Sequence, residues 1–139
     1  MREALSWLFA RPALPRKWWQ VIVWWELRRI PYNVIVGIAG VISLVLFYVF
    51  ITASGGLKPG EDAVEPLALV LAPILVNVAY TAGWVFEIAL ILLDRRDVGV
   101  GPALYKLGLA FSLCAVAVPS VFWGVIWLAR AVWPGRPAG

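Results

Sequence analysis

The sequence predicts an all-α integral membrane protein: a helical bundle of three transmembrane helices preceded by a Trp-rich interfacial helix. Three observations predict it. No charged residue falls between Arg29 and Lys58, between Glu65 and Glu87, or between Lys106 and Arg130. Each run is mostly Val, Leu, Ile, Ala and Phe, and each supplies the roughly 20 apolar residues a helix needs to cross hydrocarbon. Only 14% of the 139 residues are charged and 63% are hydrophobic, with a mean hydropathy of +0.87. A soluble domain of this size could not hide so much apolar surface.

Residues 1–15, which include Pro12 and Pro15, read as a loose or short-helical cytoplasmic tail. Its apolar patch is short and interrupted by Arg2, Glu3 and Ser6. A cleavable signal needs a longer apolar centre, so the first span is expected to persist as a signal-anchor. Residues 16–30 contain four of the nine Trp. On a helix, Arg16, Lys17, Gln20 and Arg28 project to one side and Trp18, Ile22 and Trp25 to the other, with Glu26 and Arg29 near the apolar side. Trp prefers the headgroup level, where its ring is apolar and its N–H stays wet. The segment reads as an amphipathic helix lying on the cytoplasmic leaflet, anchored by Trp18, Trp19, Trp24, Trp25, Arg28 and Arg29. A partner-binding helix and a fourth span are the alternatives, and its charges and shortness count against the span.

Residues 31–139 form the transmembrane bundle. Pro31 suits a first helical turn and opens a span over about 31–53. Ser54-Gly55-Gly56 and Pro59-Gly60 then break the chain into a polar loop holding Lys58, Glu61, Asp62 and Glu65. The second span, about 66–93, is about 42 Å long, so it must tilt, kink at Pro73 or protrude. A loop over 94–101 follows. The third span covers about 102–133, with Pro119 as a possible bend and Trp123, Trp127 and Trp133 marking the far interface. Nine of the twelve Lys and Arg lie in the N-terminal segment or beside the second loop: Arg2, Arg11, Arg16, Lys17, Arg28, Arg29, Arg95, Arg96 and Lys106. The first loop has Lys58, and the C-terminal end has Arg130 and Arg136. This asymmetry predicts a cytoplasmic N-terminus and an external C-terminus.

The chain has no His and one Cys. That removes His-ligated haem, His-based zinc sites, Ser-His and Cys-His catalysis, an internal disulfide and a dithiol pair. Cys114, inside an apolar run, reads as a small buried hydrophobe. Net charge is +4, and because the cations flank apolar spans, anionic lipid headgroups explain it better than nucleic acid. No cofactor, metal site or phosphate-cradling glycine loop is legible.

Ionisable and polar groups inside a span are costly, so each needs a partner or a purpose. Asn77, Tyr80, Thr81, Trp84 and Glu87 fall within about 120° of one another on the second span and should face the bundle interior. By depth below the cytoplasmic surface, Glu87 is expected to pair with Lys106, with Arg28 or Arg29 as competitors. Asn33 is placed to reach Asn77 or Tyr80, so Asn33, Asn77, Tyr80, Thr81, Glu87 and Lys106 make up the candidate intramembrane network. Gly37, Gly40 and Ser43 on the first span, and Gly108, Ser112, Ala115 and Pro119 on the third, form stripes expected to let helices approach closely within the bundle.

Two stretches, Trp25-Glu26-Leu27-Arg28-Arg29-Ile30-Pro31-Tyr32-Asn33 with Gly37 beyond, and Asn77-Val78-Ala79-Tyr80-Thr81-Ala82-Gly83-Trp84-Val85-Phe86-Glu87, resemble a group of small uncharacterised bacterial multi-span membrane proteins. The resemblance covers about half the chain. It implies a bacterial inner-membrane location and carries over no catalytic residue. From these readings the protein is expected to be a non-enzymatic accessory, scaffold or assembly component, as a homo-oligomer or beside a membrane-protein partner. The alternatives are a subunit of an oligomeric transporter or channel using Asn77, Tyr80 and Glu87, and, third, a lipid- or quinone-directed membrane enzyme.

Overall fold

The computed structural model describes residues 6–56, 66–94 and 99–133, apart from the side chains of Pro66, Ala68 and Asp94. The loop residues Lys58, Glu61, Asp62, Glu65, Arg95, Arg96 and Asp97, and the terminal Arg2 and Arg136, lie outside the described residues. Three long helices make up most of the described chain: α1, Trp18–Ala53; α2, Pro66–Asp94; and α3, Gly101–Val132. α1, residues Leu69–Leu93 of α2, and α3 are each long and apolar enough to cross a membrane. The molecule is therefore an all-helical, multi-pass membrane protein.

The sequence reading separates an interfacial helix from the first span at Pro31. The structure runs them as one helix of 36 residues with Pro31 inside it, about 54 Å long. Pro31 removes one backbone donor, yet the helix continues because buried side chains hold it on both sides. Its inward stripe is Val21, Trp24, Trp25, Arg28, Tyr32 and Val36, followed by Ser43, Phe47 and Ile51. That spacing of three and four residues is the helical period. Arg28 belongs to the buried stripe, which is why a wheel that assigns it to the wet side mispairs the faces. Trp24 and Trp25 are accordingly core residues, whereas Trp18 and Trp19 are exposed.

Residues 6–17 are not a free tail. A helical turn at 6–8 and the extended segment after it fold back along the start of α1, burying Leu8 and Arg16. Residues along the three helices, among them Ile38, Val45, Val78, Val118 and Val121, are exposed. In hydrocarbon such exposure carries no hydrophobic penalty. The same holds for Cys114, which lies on the exposed face of α3 rather than buried.

Candidate functional site

The polar groups of the three helices converge at the end of the bundle that carries the N-terminal segment. Glu87, on α2, is 1% exposed. Its Oε1 accepts from Arg16 Nη2 at 2.6 Å and from the backbone N–H of Gly101 at 2.8 Å, and its Oε2 accepts from Trp25 Nε1 at 2.7 Å. One carboxylate thus ties the N-terminal segment, α1, α2 and the start of α3 together.

Each donor is there for a physical reason. Gly101 opens α3, where backbone N–H groups have no partner inside the helix and the helix dipole is positive. No side chain caps that end; the carboxylate of a neighbouring helix does so instead. Gly101 also has to be small, because a Cβ there would come within 2.7 Å of Glu87 Oε2. Gly83, one turn before Glu87 on α2, makes room for the ring of Trp25, which a Cβ would meet at 2.8 Å. Arg16 supplies the compensating charge that a buried carboxylate requires.

Around this lock sits an aromatic cluster. Tyr32 and Tyr80 have ring centroids 4.6 Å apart, Trp25 and Tyr80 5.2 Å, and Phe9 and Tyr105 5.9 Å. Tyr80 donates its hydroxyl hydrogen to the carbonyl of Trp25. Deeper along the bundle, the Tyr32 hydroxyl bonds Ser112 Oγ at 2.7 Å and Ser43 Oγ donates to Ser120 Oγ at 2.9 Å. On the α1–α2 face, Asn33 and Asn77 exchange two amide hydrogen bonds of 3.1 Å each. Arg29 extends this ladder, donating to Glu26 Oε1 at 2.8 Å and to Thr81 Oγ1 at 3.0 Å.

The structure therefore brings Asn33, Asn77, Tyr80, Thr81 and Glu87 into the bundle's polar contacts, and it leaves Lys106 out. Lys106 is exposed, with its Nζ 5.3 Å from the Phe9 ring centroid. The expected Glu87–Lys106 pair is corrected to Glu87–Arg16, and the competitors Arg28 and Arg29 also bind elsewhere. Arg28 donates to the carbonyls of Leu8, Trp24 and Trp7. A depth argument ranks cations on facing helices, and it cannot see a cation delivered by a segment that folds back. Gly101 was equally missed, although a Gly-Pro pair at a helix start was the legible sign of a free helix N-terminus near the depth of Glu87.

Away from the lock the three helices part around an apolar crevice of about 790 Å³, lined by Gly37, Gly40 and Phe47 of α1, Ala72 and Val76 of α2, and Ala115 of α3 among others. A Cβ at Gly37, Gly40 or Gly108 would meet nothing within 4 Å. The small-residue stripes thus do not serve close helix approach inside one chain at these glycines, as the sequence reading expected. Among the described residues, no three His, Cys, Asp or Glu side chains gather in a metal-binding group.

No family model, curated protein or solved structure matches this chain.

Proposed function

We propose that the protein is a non-enzymatic accessory or assembly component of a bacterial inner membrane, with its N-terminus in the cytoplasm and its C-terminus outside. The observation that carries this reading is a polar network whose interhelical members bond chiefly to one another. Glu87, Asn33, Asn77, Tyr32, Tyr80, Ser43, Ser112 and Ser120 all hydrogen-bond within the chain. They are spent on joining helices. The transport alternative relies on Asn77, Tyr80 and Glu87; Tyr80 and Glu87 are buried and engaged with Trp25 and Arg16, and the half-buried Asn77 exchanges amide hydrogen bonds with Asn33.

What the chain offers outward is shape. The crevice between the splayed helices presents the open backbone of Gly37 and Gly40, and small residues are what let a further helix pack closely in lipid. In this reading a helix of another chain, either a second copy or a different membrane protein, seats there. Cross-linking in native membranes followed by gentle detergent extraction tests it. The expected result is a discrete adduct that Gly37→Leu or Gly40→Leu abolishes while the chain itself stays folded, since neither new side chain meets a neighbour's atom near its Cβ. A lone monomer under every extraction condition would overturn the proposal. Protection of an N-terminal tag and exposure of a C-terminal one to an external protease would check the threading.

A further inference from the structure

The N-terminal segment and the start of α1 border a second, open cavity of about 460 Å³. Trp7 and Arg11 line it from the segment, and Gln20, Trp24, Leu27 and Arg28 line it from α1. Arg16 also reaches this cavity, but its charge is matched by Glu87. Arg28 and Arg11 are different, because among the described residues neither has a carboxylate partner.

Arg28 is 4% exposed. A buried guanidinium without a counter-ion is costly, and here its surroundings offset the cost only with dipoles and π faces. It gives one hydrogen bond from each nitrogen to the carbonyls of Leu8, Trp24 and Trp7. Its Cζ lies 3.9 Å from the Trp24 ring centroid and 4.4 Å from that of Trp7. Each terminal nitrogen carries two N–H groups, so one on each is left without an acceptor among the described residues. Trp24 Nε1 is likewise buried without an acceptor among them. The cavity therefore holds fixed donors and excess positive charge, and the described chain provides no anion for it.

Position selects the ligand. Arg28 directly precedes Arg29 and the charge-free run that follows it, so it sits at the edge of the hydrocarbon. The exposed Trp18 and Trp19 lie about 15 Å further out along the same helix. The cavity thus occupies the headgroup layer, and the exposed Leu27 gives its lower wall an apolar exit towards the acyl chains.

We propose that this cavity binds the phosphodiester of one anionic phospholipid, with Arg28 and Arg11 as the recognising cations and Trp7 and Trp24 as the walls that orient Arg28. Planar guanidinium groups match phosphate oxygens in charge and geometry. A zwitterionic lipid carries the same phosphate with its own ammonium attached, and that ammonium meets two uncompensated arginines.

Native mass spectrometry of the full chain, released from micelles containing phosphatidylglycerol and excess phosphatidylcholine, reads this directly. One phosphatidylglycerol retained per chain is the expected result. Arg11→Gln, at an exposed position, should weaken retention about tenfold, the equivalent of one good charged contact. Lys106→Gln removes the same charge from the same end outside the cavity and should change retention less than about twofold. Equal retention of the two lipids, or equal loss in Arg11→Gln and Lys106→Gln, would overturn the site. Displacement of the lipid by inorganic phosphate would overturn the lipid assignment in favour of a free anion. Arg28→Lys keeps the charge but gives up the fork and the stacking; retention unchanged in that variant and in Arg11→Gln together would also sink the proposal.

Discussion

The two ends of this bundle follow different rules. At the end that carries residues 6–36, the interior is polar and aromatic, and Glu87, Arg16, Trp25, Tyr32 and Tyr105 are all buried there. At the opposite end, α1 and α3 meet through Phe47–Trp123 and Phe50–Trp127 ring contacts, and the first part of α2 stands away with Leu67, Leu69, Val70, Leu71, Ile74 and Leu75 exposed. One further tie closes that end, from Arg130 to the carbonyl of Ser54 just after α1. Hydrocarbon gives apolar side chains no reason to leave lipid for protein. It gives polar ones every reason to find each other. Cohesion of α2 with the other two helices therefore follows the polar residues; where they run out α2 parts from the pair, while α1 and α3 stay together through ring contacts.

The largest break in this contrast comes from Glu87→Leu. It strips the acceptor from Arg16, from Trp25 Nε1–H and from the Gly101 N–H, and the loss of one partner of a buried pair costs about 3–5 kcal/mol. Unfolding in mixed micelles with rising SDS, followed by Trp fluorescence, should show that loss. A change below about 1 kcal/mol would mean the lock is not what holds this end together. Glu87→Gln keeps an acceptor oxygen and should fall between Glu87→Leu and the parent protein.

Glycines sharpen the contrast at a smaller scale. Gly101→Ala places a methyl 2.7 Å from the Glu87 carboxylate, and overpacking of that kind costs about 1–3 kcal/mol. The same substitution at Gly37 or Gly40 meets open space, and the gain in helix propensity should raise single-chain stability by up to about 1 kcal/mol. Opposite signs in the same unfolding assay would support the division. Matching losses would show that the crevice is already packed shut in one chain.

The smallest effects belong to the paired side chains between helices. Asn77→Ala removes the amide exchange with Asn33, and Ser43→Ala removes the bond to Ser120. Interhelical hydrogen bonds of this sort average about 0.6 kcal/mol. Each variant should shift the SDS midpoint slightly. A shift comparable to that of Glu87→Leu would move the centre of cohesion away from the lock.

The architecture was legible because its signal is local. Three charge-free runs, bounded by charges and by Gly and Pro, set α2 and α3 to within a residue or two and placed the end of α1 at Ala53. The α1 start was misplaced because Pro31 is permitted at a first turn and also tolerated within a membrane helix that tertiary contacts support. Asn33 was expected to reach Asn77 or Tyr80 across the interface, and it is Asn77 that it bonds. The partner of Glu87 was not legible, because Arg16 reaches it only through the fold-back of residues 6–17, and nothing in helical periodicity encodes that return. The Trp residues divided for a related reason. Trp18 and Trp24 look alike as residues, and only the buried stripe containing Arg28 tells them apart.

The order in which the lock's members emerge during synthesis has its own consequence. Arg16 and Trp25 are made long before Glu87, and Gly101 follows only after the end of α2. When the acidic group enters the membrane, two of its three donors already wait at the surface it must approach. The chain is thus spared a stage in which a bare carboxylate sits in lipid awaiting a helix not yet translated, and the N–H of Gly101 merely completes a pairing begun without it.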